Sequence, residues 1–289
     1  MYFCSLKYQR KKDLALVQNN NNMTIDLPQY LDTFIFNVCK ANYCPSHSDM
    51  MNIRDNKART LTYLGTYFPR SFAESYCIFS KLIKKAPAFF TSKEDLSILD
   101  FCCGTGGEII GMLTAFNECL PNLRNLNIIS LDGNKHALKL FEKILREFQD
   151  KNKTTFSIRH KVSQITIDDV YDMSVTCSIL EESHDIVLTF KALCEFVSGQ
   201  QFDNKNPYMH FAETFLPKLN KGGLLIIEDI TTKNDISQEW LPLMMDAGLK
   251  NISCSIIDRN DDFNQTIYVS HSNKKNDASK IAWRIIKNN

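Results

Sequence analysis

Apolar residues in this chain follow two rhythms. Short apolar runs at 96–101, 127–131, 185–190 and 224–229 predict buried strands. Between them the spacing becomes helical. Ile109, Leu113, Phe116 and Leu120 recur at intervals of four, three and four, and Pro121 ends the run. Leu138, Phe141, Leu145 and Phe148 recur at three, four and three. Further helices are expected over 211–219, before a turn at Asn220-Lys-Gly-Gly223, and over 237–247, closed by Gly248. A third strand is expected at 155–160, and 252–257 with 266–270 reads as a terminal antiparallel pair. Strand and helix signals alternate, as in an α/β fold.

The flanks read differently. Residues 1–23 are expected to be a flexible arm with a linker-like run at Asn19–Asn22, and Met23 is a possible alternative start. Residues 24–92 predict a helical cap. Leu31, Ile35 and Val38 share one helical face, Cys44-Pro-Ser-His-Ser48 breaks the pattern, and 60–90 reads as two helices split at Pro69. Ala73, Tyr76, Cys77 and Ser80 share a face of the second. The α/β domain is expected over 93–273, with a basic, solvated tail at 274–289.

The most informative stretch is Leu96–Gly111. Asp100 ends a strand, Gly104, Gly106 and Gly107 form a tight turn, and a helix follows. A strand, a glycine bend and a helix N-terminus make a nucleoside pocket, because backbone N–H groups point outward and the helix dipole is positive there. A second acid, Asp132, ends the next strand just before Gly133. An acid at that place can hold ribose hydroxyls.

Together these motifs resemble class I S-adenosylmethionine-dependent methyltransferases, whose first motif is an acid followed by Gly-x-Gly-x-Gly. Here it stands as Asp100-Phe-Cys-Cys-Gly104-Thr-Gly106, with Cys102 at the first glycine. The resemblance spans roughly residues 60–270. It implies a Rossmann-like seven-stranded sheet whose last strand is antiparallel, a helical N-terminal cap, and S-adenosyl-L-methionine as cofactor. The implied cofactor site comprises Asp100, Cys102, Gly104, Gly106, Gly107, Asp132 and Gly133, with Phe190 and Lys191 at the end of the fourth strand. Asp168 and Asp169 are candidates for a third acid at the adenine edge, with surface acids ahead of a helix as the other reading, and Arg70 is a candidate partner for the methionyl carboxylate. Fixing the cap to the domain is the other reading of Arg70. Thr62–Ala73 and Leu193-Cys-Glu195-Phe are also similar to segments of the methyltransferase-like family of the mitochondrial small ribosomal subunit. That family carries a cysteine cluster for an iron–sulfur centre, which has no clustered counterpart here.

Other features narrow the chemistry. Strand four is followed by Thr189-Phe-Lys-Ala192, not the Asn/Asp-Pro-Pro-Tyr/Phe that holds an extruded base, which disfavours amino-methylation of adenine or cytosine by that route. Asn206-Pro-Tyr208 comes too late and starts a helix instead. No Pro-Cys pair supplies a pyrimidine-directed nucleophile. Lys191, Glu195, Glu228, Tyr63 and Tyr67 are the polar groups near the expected transfer point, and none stands out as catalytic. Gly104-x-Gly106 partly matches a dinucleotide motif, but Ile109 holds the third glycine's place.

The 289 residues carry 34 basic and 33 acidic side chains, a net charge of +1, so no global field draws the chain to nucleic acid, although a local patch can suffice. The ten scattered cysteines lack metal or disulfide spacing, and no apolar run reaches membrane-spanning length; both fit a cytoplasmic protein. The acceptor, whether small molecule, RNA or protein, and the oligomeric state are open. The alternative to an enzyme is a methyltransferase-like factor that binds the cofactor and assists ribosome assembly without catalysis.

Overall fold

A computed structural model describes residues 17–19, 22–45, 56–167, 169–180, 183–197, 205–234, 236–260, 263 and 265–289. In chain order the strands are β1 (Val17–Asn19), β2 (Asn22–Asp26), β3 (Asp95–Phe101), β4 (Asn125–Asp132), β5 (Ser157–Gln164), β6 (His184–Phe190), β7 (Leu219–Ile230), β8 (Ser255–Arg259), β9 (Thr266–His271) and β10 (Lys274–Lys287). The helices are α1 (Gln29–Asp32), which runs on into a π-helix at Thr33–Val38, then α2 (Lys57–Lys85), α3 (Pro87–Thr91), α4 (Gly107–Cys119), α5 (Lys135–Lys151), α6 (Ser174–Ile179), α7 (Leu193–Val197), α8 (Pro207–Phe215) and α9 (Leu241–Lys250).

Strands β5-β4-β3-β6-β7 lie side by side and parallel. The second half of β10 runs antiparallel to β7 on one side and to β8 on the other. These seven strands form a Rossmann-like sheet with the last strand reversed, as expected. β6 is buried at every position, because helices cover both faces of the sheet. One core layer joins the sheet to α2, α4 and α5 through Ile98, Phe72, Phe116 and Phe141. The other joins it to α8 and α9 through Leu99, Phe101, Phe211 and Met245.

The edges differ from the sequence-based expectation. The expected tail 274–289 is β10, and Trp283 and Arg284 on it are both 0% exposed. Its charged residues obscure the apolar alternation of Ile281, Trp283 and Ile285. The Arg284 charge is met by Asp246 of α9, with Nε–Oδ1 at 2.6 Å and Nη2–Oδ2 at 3.0 Å. The segments around 255 and 266 do not pair with each other; each pairs with a different half of β10. The cap is not all helical, since β2 pairs parallel with β9 and β1 pairs with β2 inside the expected arm. Residues 1–16 lie outside the described residues. α2 is one helix through Pro69, not two. Pro69 has no N–H for the Gly65 carbonyl, and the helix is held instead by its long buried face. Gly248 lies inside α9, which starts later than expected, at Leu241.

Among the described residues no helix is long and apolar enough to cross a membrane, and the nine described cysteines are unpaired.

Candidate cofactor site

The site forms at the carboxyl ends of β3, β4, β6 and β7. Its centre is the bend between β3 and α4. Cys102 has φ +61°, a left-handed conformation that costs an L-residue about 1–2 kcal/mol and that glycine adopts freely. This accounts for the glycine that the resembling motif carries at that place. Gly104 also has positive φ.

Asp132 ends β4 and faces the bend. Its Oδ2 accepts the Gly104 N–H at 2.8 Å and its Oδ1 accepts the Asn134 N–H at 2.7 Å. Burial raises its pKa, and these two backbone donors oppose the rise. Each oxygen keeps a second lone pair for a hydroxyl donor. Asn134 then caps α5 by accepting from the His136 and Ala137 N–H groups.

The glycines divide by role. A Cβ on Gly106 would lie 2.2 Å from the Phe141 ring, and one on Gly107 2.8 Å from the Phe68 carbonyl oxygen. Both therefore serve the packing of α4 against α5 and α2 rather than a ligand. The atoms nearest to a Cβ on Gly104 would be those of the Tyr63 ring, with its hydroxyl at 3.0 Å. Tyr63 thus covers the bend from α2. Gly133 has ordinary φ, and a Cβ there would be in ordinary contact with Ile165 and Thr166.

Below the bend lies a set of acids that the glycine motif does not announce. Asp100 ends β3 with 0% exposure, and neither of its oxygens has a donor among the described residues. Both oxygens of Glu228 on β7 and Oε1 of Glu74 on α2 are likewise without one. Glu108, in the first turn of α4, is 5% exposed and lies against Asp100. It also accepts from its own backbone N–H, so the helix N-terminus already holds a carboxyl group. Burial pushes Glu108 up to about 8 and raises Asp100 and Glu228 well above the carboxylate range; Glu108 and Asp132 raise Asp100 further, and Glu74 raises Glu228.

The cation facing these acids is Lys191, whose Nζ donates to Glu74 Oε2 at 2.5 Å. Burial alone would lower its pKa, but Glu74 and Glu228 outweigh that and leave it raised. Lys191 has φ +53°, and its N–H donates to the Glu228 carbonyl oxygen, so the end of β6 is tied to β7. Phe190, 6% exposed, belongs to the core layer that joins the sheet to α2 and α4.

Arg70 is engaged by the sheet. It forms a two-pronged pair with Asp277 of β10, with Nε–Oδ2 at 2.8 Å and Nη2–Oδ1 at 2.7 Å, and Tyr43 donates to the same carboxylate. Arg70 fixes α2 to the sheet, and its assignment to the cofactor is withdrawn. Arg70→Ala is expected to cost about 3 kcal/mol of stability, because it takes the guanidinium from a buried aspartate and leaves it the Tyr43 hydroxyl. Affinity for an adenosine ligand should stay within a few fold of the parent. Chemical denaturation and calorimetry on the same variant check both halves. Asp169 is exposed, and its Oδ1 accepts the Tyr171 N–H in a local turn, as a surface acid does. Asp168 lies outside the described residues.

The sequence reading missed Glu74 and Glu108 and named Glu228 only in passing. The available signal was a lone carboxylate inside an apolar helical run, as at Phe72-Ala-Glu74-Ser-Tyr76. Among the described residues no set of three or more histidine, cysteine, aspartate or glutamate side chains is placed to hold a metal ion.

No protein-family model matches the chain, and no curated protein matches it. Solved structures do resemble it. Magnesium protoporphyrin IX methyltransferase from Synechocystis, with bound S-adenosylmethionine, shares 10% identity over 76% of this chain and 81% of its own, with a TM-score of 0.45. An S-adenosylmethionine-dependent methyltransferase from Clostridium acetobutylicum shares 14% identity over 74% and 91%, with a TM-score of 0.43. The N-methyltransferase NodS from Bradyrhizobium japonicum, in complex with S-adenosylhomocysteine, shares 10% over 72% and 86%, with a TM-score of 0.40. Likeness at this level speaks to neither the activity nor the acceptor of this chain.

Proposed function

We propose that this chain is a class I S-adenosylmethionine-dependent methyltransferase. The observation that carries the reading is Asp132 turned onto the Gly104 bend, the placement that grips a ribose beside a bare peptide turn. The orphaned carboxylates test the fit. S-adenosylmethionine carries a sulfonium and an ammonium, and Asp100 and Glu228 are buried acids without donors, so a cation suits them. Lys191, paired with Glu74, is the cation that would meet a methionyl carboxylate.

The cofactor would supply an activated methyl group, and the protein's task is alignment. Asp132 would hold the sugar hydroxyls. Cys102 and Gly104 would let the backbone approach the adenosine. Tyr63, seated over Gly104, would cover the ligand from the α2 side and keep water away. The acceptor and the atom methylated are left open. Calorimetry with S-adenosylhomocysteine tests the reading, and micromolar binding is expected. Pure, folded protein that takes up none of it ends the proposal.

Tyr63 over the bend also favours a second reading, a cofactor-binding factor without catalysis that assists ribosome assembly. Binding without labelled methyl transfer to any fraction of RNA, protein or metabolites from a cell extract would support that reading over an enzyme.

A further inference from the structure

The acids under the bend hold more negative groups than a buried site tolerates in ionised form. Asp100 and Glu108 touch, and no described donor reaches either oxygen of Asp100. Two carboxyl groups in contact away from water hold at least one proton between them, since both cannot ionise together. The groups that face the pair reinforce this. Asp132 faces it from β4, Glu74 and Tyr63 from α2, and Glu228 from β7. Lys191 is the opposing cation, and it is already engaged by Glu74. Cys102 and Cys103 of the bend are neutral thiols, raised by burial.

We infer that cofactor binding here is coupled to proton release: the ammonium of the methionyl part enters beside Asp100 and Glu108 and expels the proton they share. This rests on the cofactor reading above. Charge and atoms balance. One proton leaves the carboxyl pair for the solvent as one positive charge arrives, and the pair becomes two carboxylates hydrogen-bonded by the ammonium. At the carboxyl pair itself the net charge is unchanged, and the ligand's own carboxylate falls to Lys191, shared with Glu74. The same arrangement disfavours nucleotides with phosphates at this place, because Glu108 occupies the helix N-terminus that would otherwise attract an anion.

The direction with pH follows from linkage. The free protein holds the proton and the complex does not, so affinity rises with pH until the free pair ionises by itself, and then levels. Burial places Glu108 at about 8, so the rise should span neutral pH and flatten above that value. The slope is about tenfold per pH unit where one proton is fully released.

The test is titration calorimetry of the full chain with S-adenosylhomocysteine, which keeps the ammonium, in two buffers of different ionisation enthalpy at several pH values. About one proton released per ligand at pH 6–7, falling towards zero above pH 8, is the expected result. Binding without proton release at any pH overturns the inference and leaves the cofactor reading intact. No binding at any pH overturns both. Glu108→Gln tests the pair, because a glutamine amide donates to Asp100 in place of the proton that Glu108 shares with it. Release should vanish in that variant. Undiminished release there would place the proton on Glu228 or Glu74 and refute the pair. Should Glu108→Gln fail to fold, Asp100→Asn gives the same reading, and the parent titration alone still decides whether release occurs.

Discussion

Asp132→Ala is expected to abolish measurable binding of S-adenosylhomocysteine. Hydrogen bonds to a charged acceptor contribute about 1.5–3 kcal/mol each, so losing two to ribose hydroxyls lowers affinity by roughly 10²–10⁴-fold. The same substitution also frees the Gly104 and Asn134 N–H groups that the carboxylate now holds. The bend therefore loses its shape as well as its ligand contact. Asp132→Asn is a poor control, since its amide nitrogen would face a backbone donor. Asn134→Ala is a better one, because it removes the α5 cap and keeps the carboxylate. It should cost about 1 kcal/mol of stability and leave affinity near the parent value. Equal losses of affinity in Asp132→Ala and Asn134→Ala would mean that the acid acts only by shaping the loop. Full affinity in Asp132→Ala would remove the observation on which the functional reading stands.

What the sequence revealed of this site depended on how local each signal was. The β3–α4 bend is written in consecutive residues, and its helix begins at Gly107 as the pattern implies. Asp132 was legible because it follows a second strand at the spacing of one intervening helix. Gly106 and Gly107 were legible as glycines but misread in purpose: Phe141 lies 35 positions on and Phe68 about as far back, and only the fold brings them there. Arg70 was misread for the same reason, since Asp277 lies 207 positions away. Glu74 and Glu108 come together from two helices, and no spacing in one dimension predicts that. Pro69 misled in the opposite way: a local rule for helix breaking lost to the burial of a whole helical face.

β10 gives the largest expected effect, and it is where the sequence was least informative. A chain ending at residue 273 is expected not to fold. The deletion removes the strand that pairs with β7 over seven positions and also pairs with β8 and β9. It removes four large buried apolar side chains, Ile281, Trp283, Ile285 and Ile286. At about 1.5–3 kcal/mol each they amount to about 6–12 kcal/mol, which matches the total stability of a typical domain of about 5–15 kcal/mol. It also strands charges that the strand satisfies. Arg70 loses Asp277, and Asp246 loses Arg284. Asp258 loses the indole N–H of Trp283, which donates to it at 2.9 Å. Circular dichroism and limited proteolysis of the shortened chain check this, with Trp283→Ala as a milder companion costing about 3–5 kcal/mol. A shortened chain that melts cooperatively near the parent temperature would mean that residues 274–289 are a dispensable appendage, as their lysines and asparagines suggest on the page.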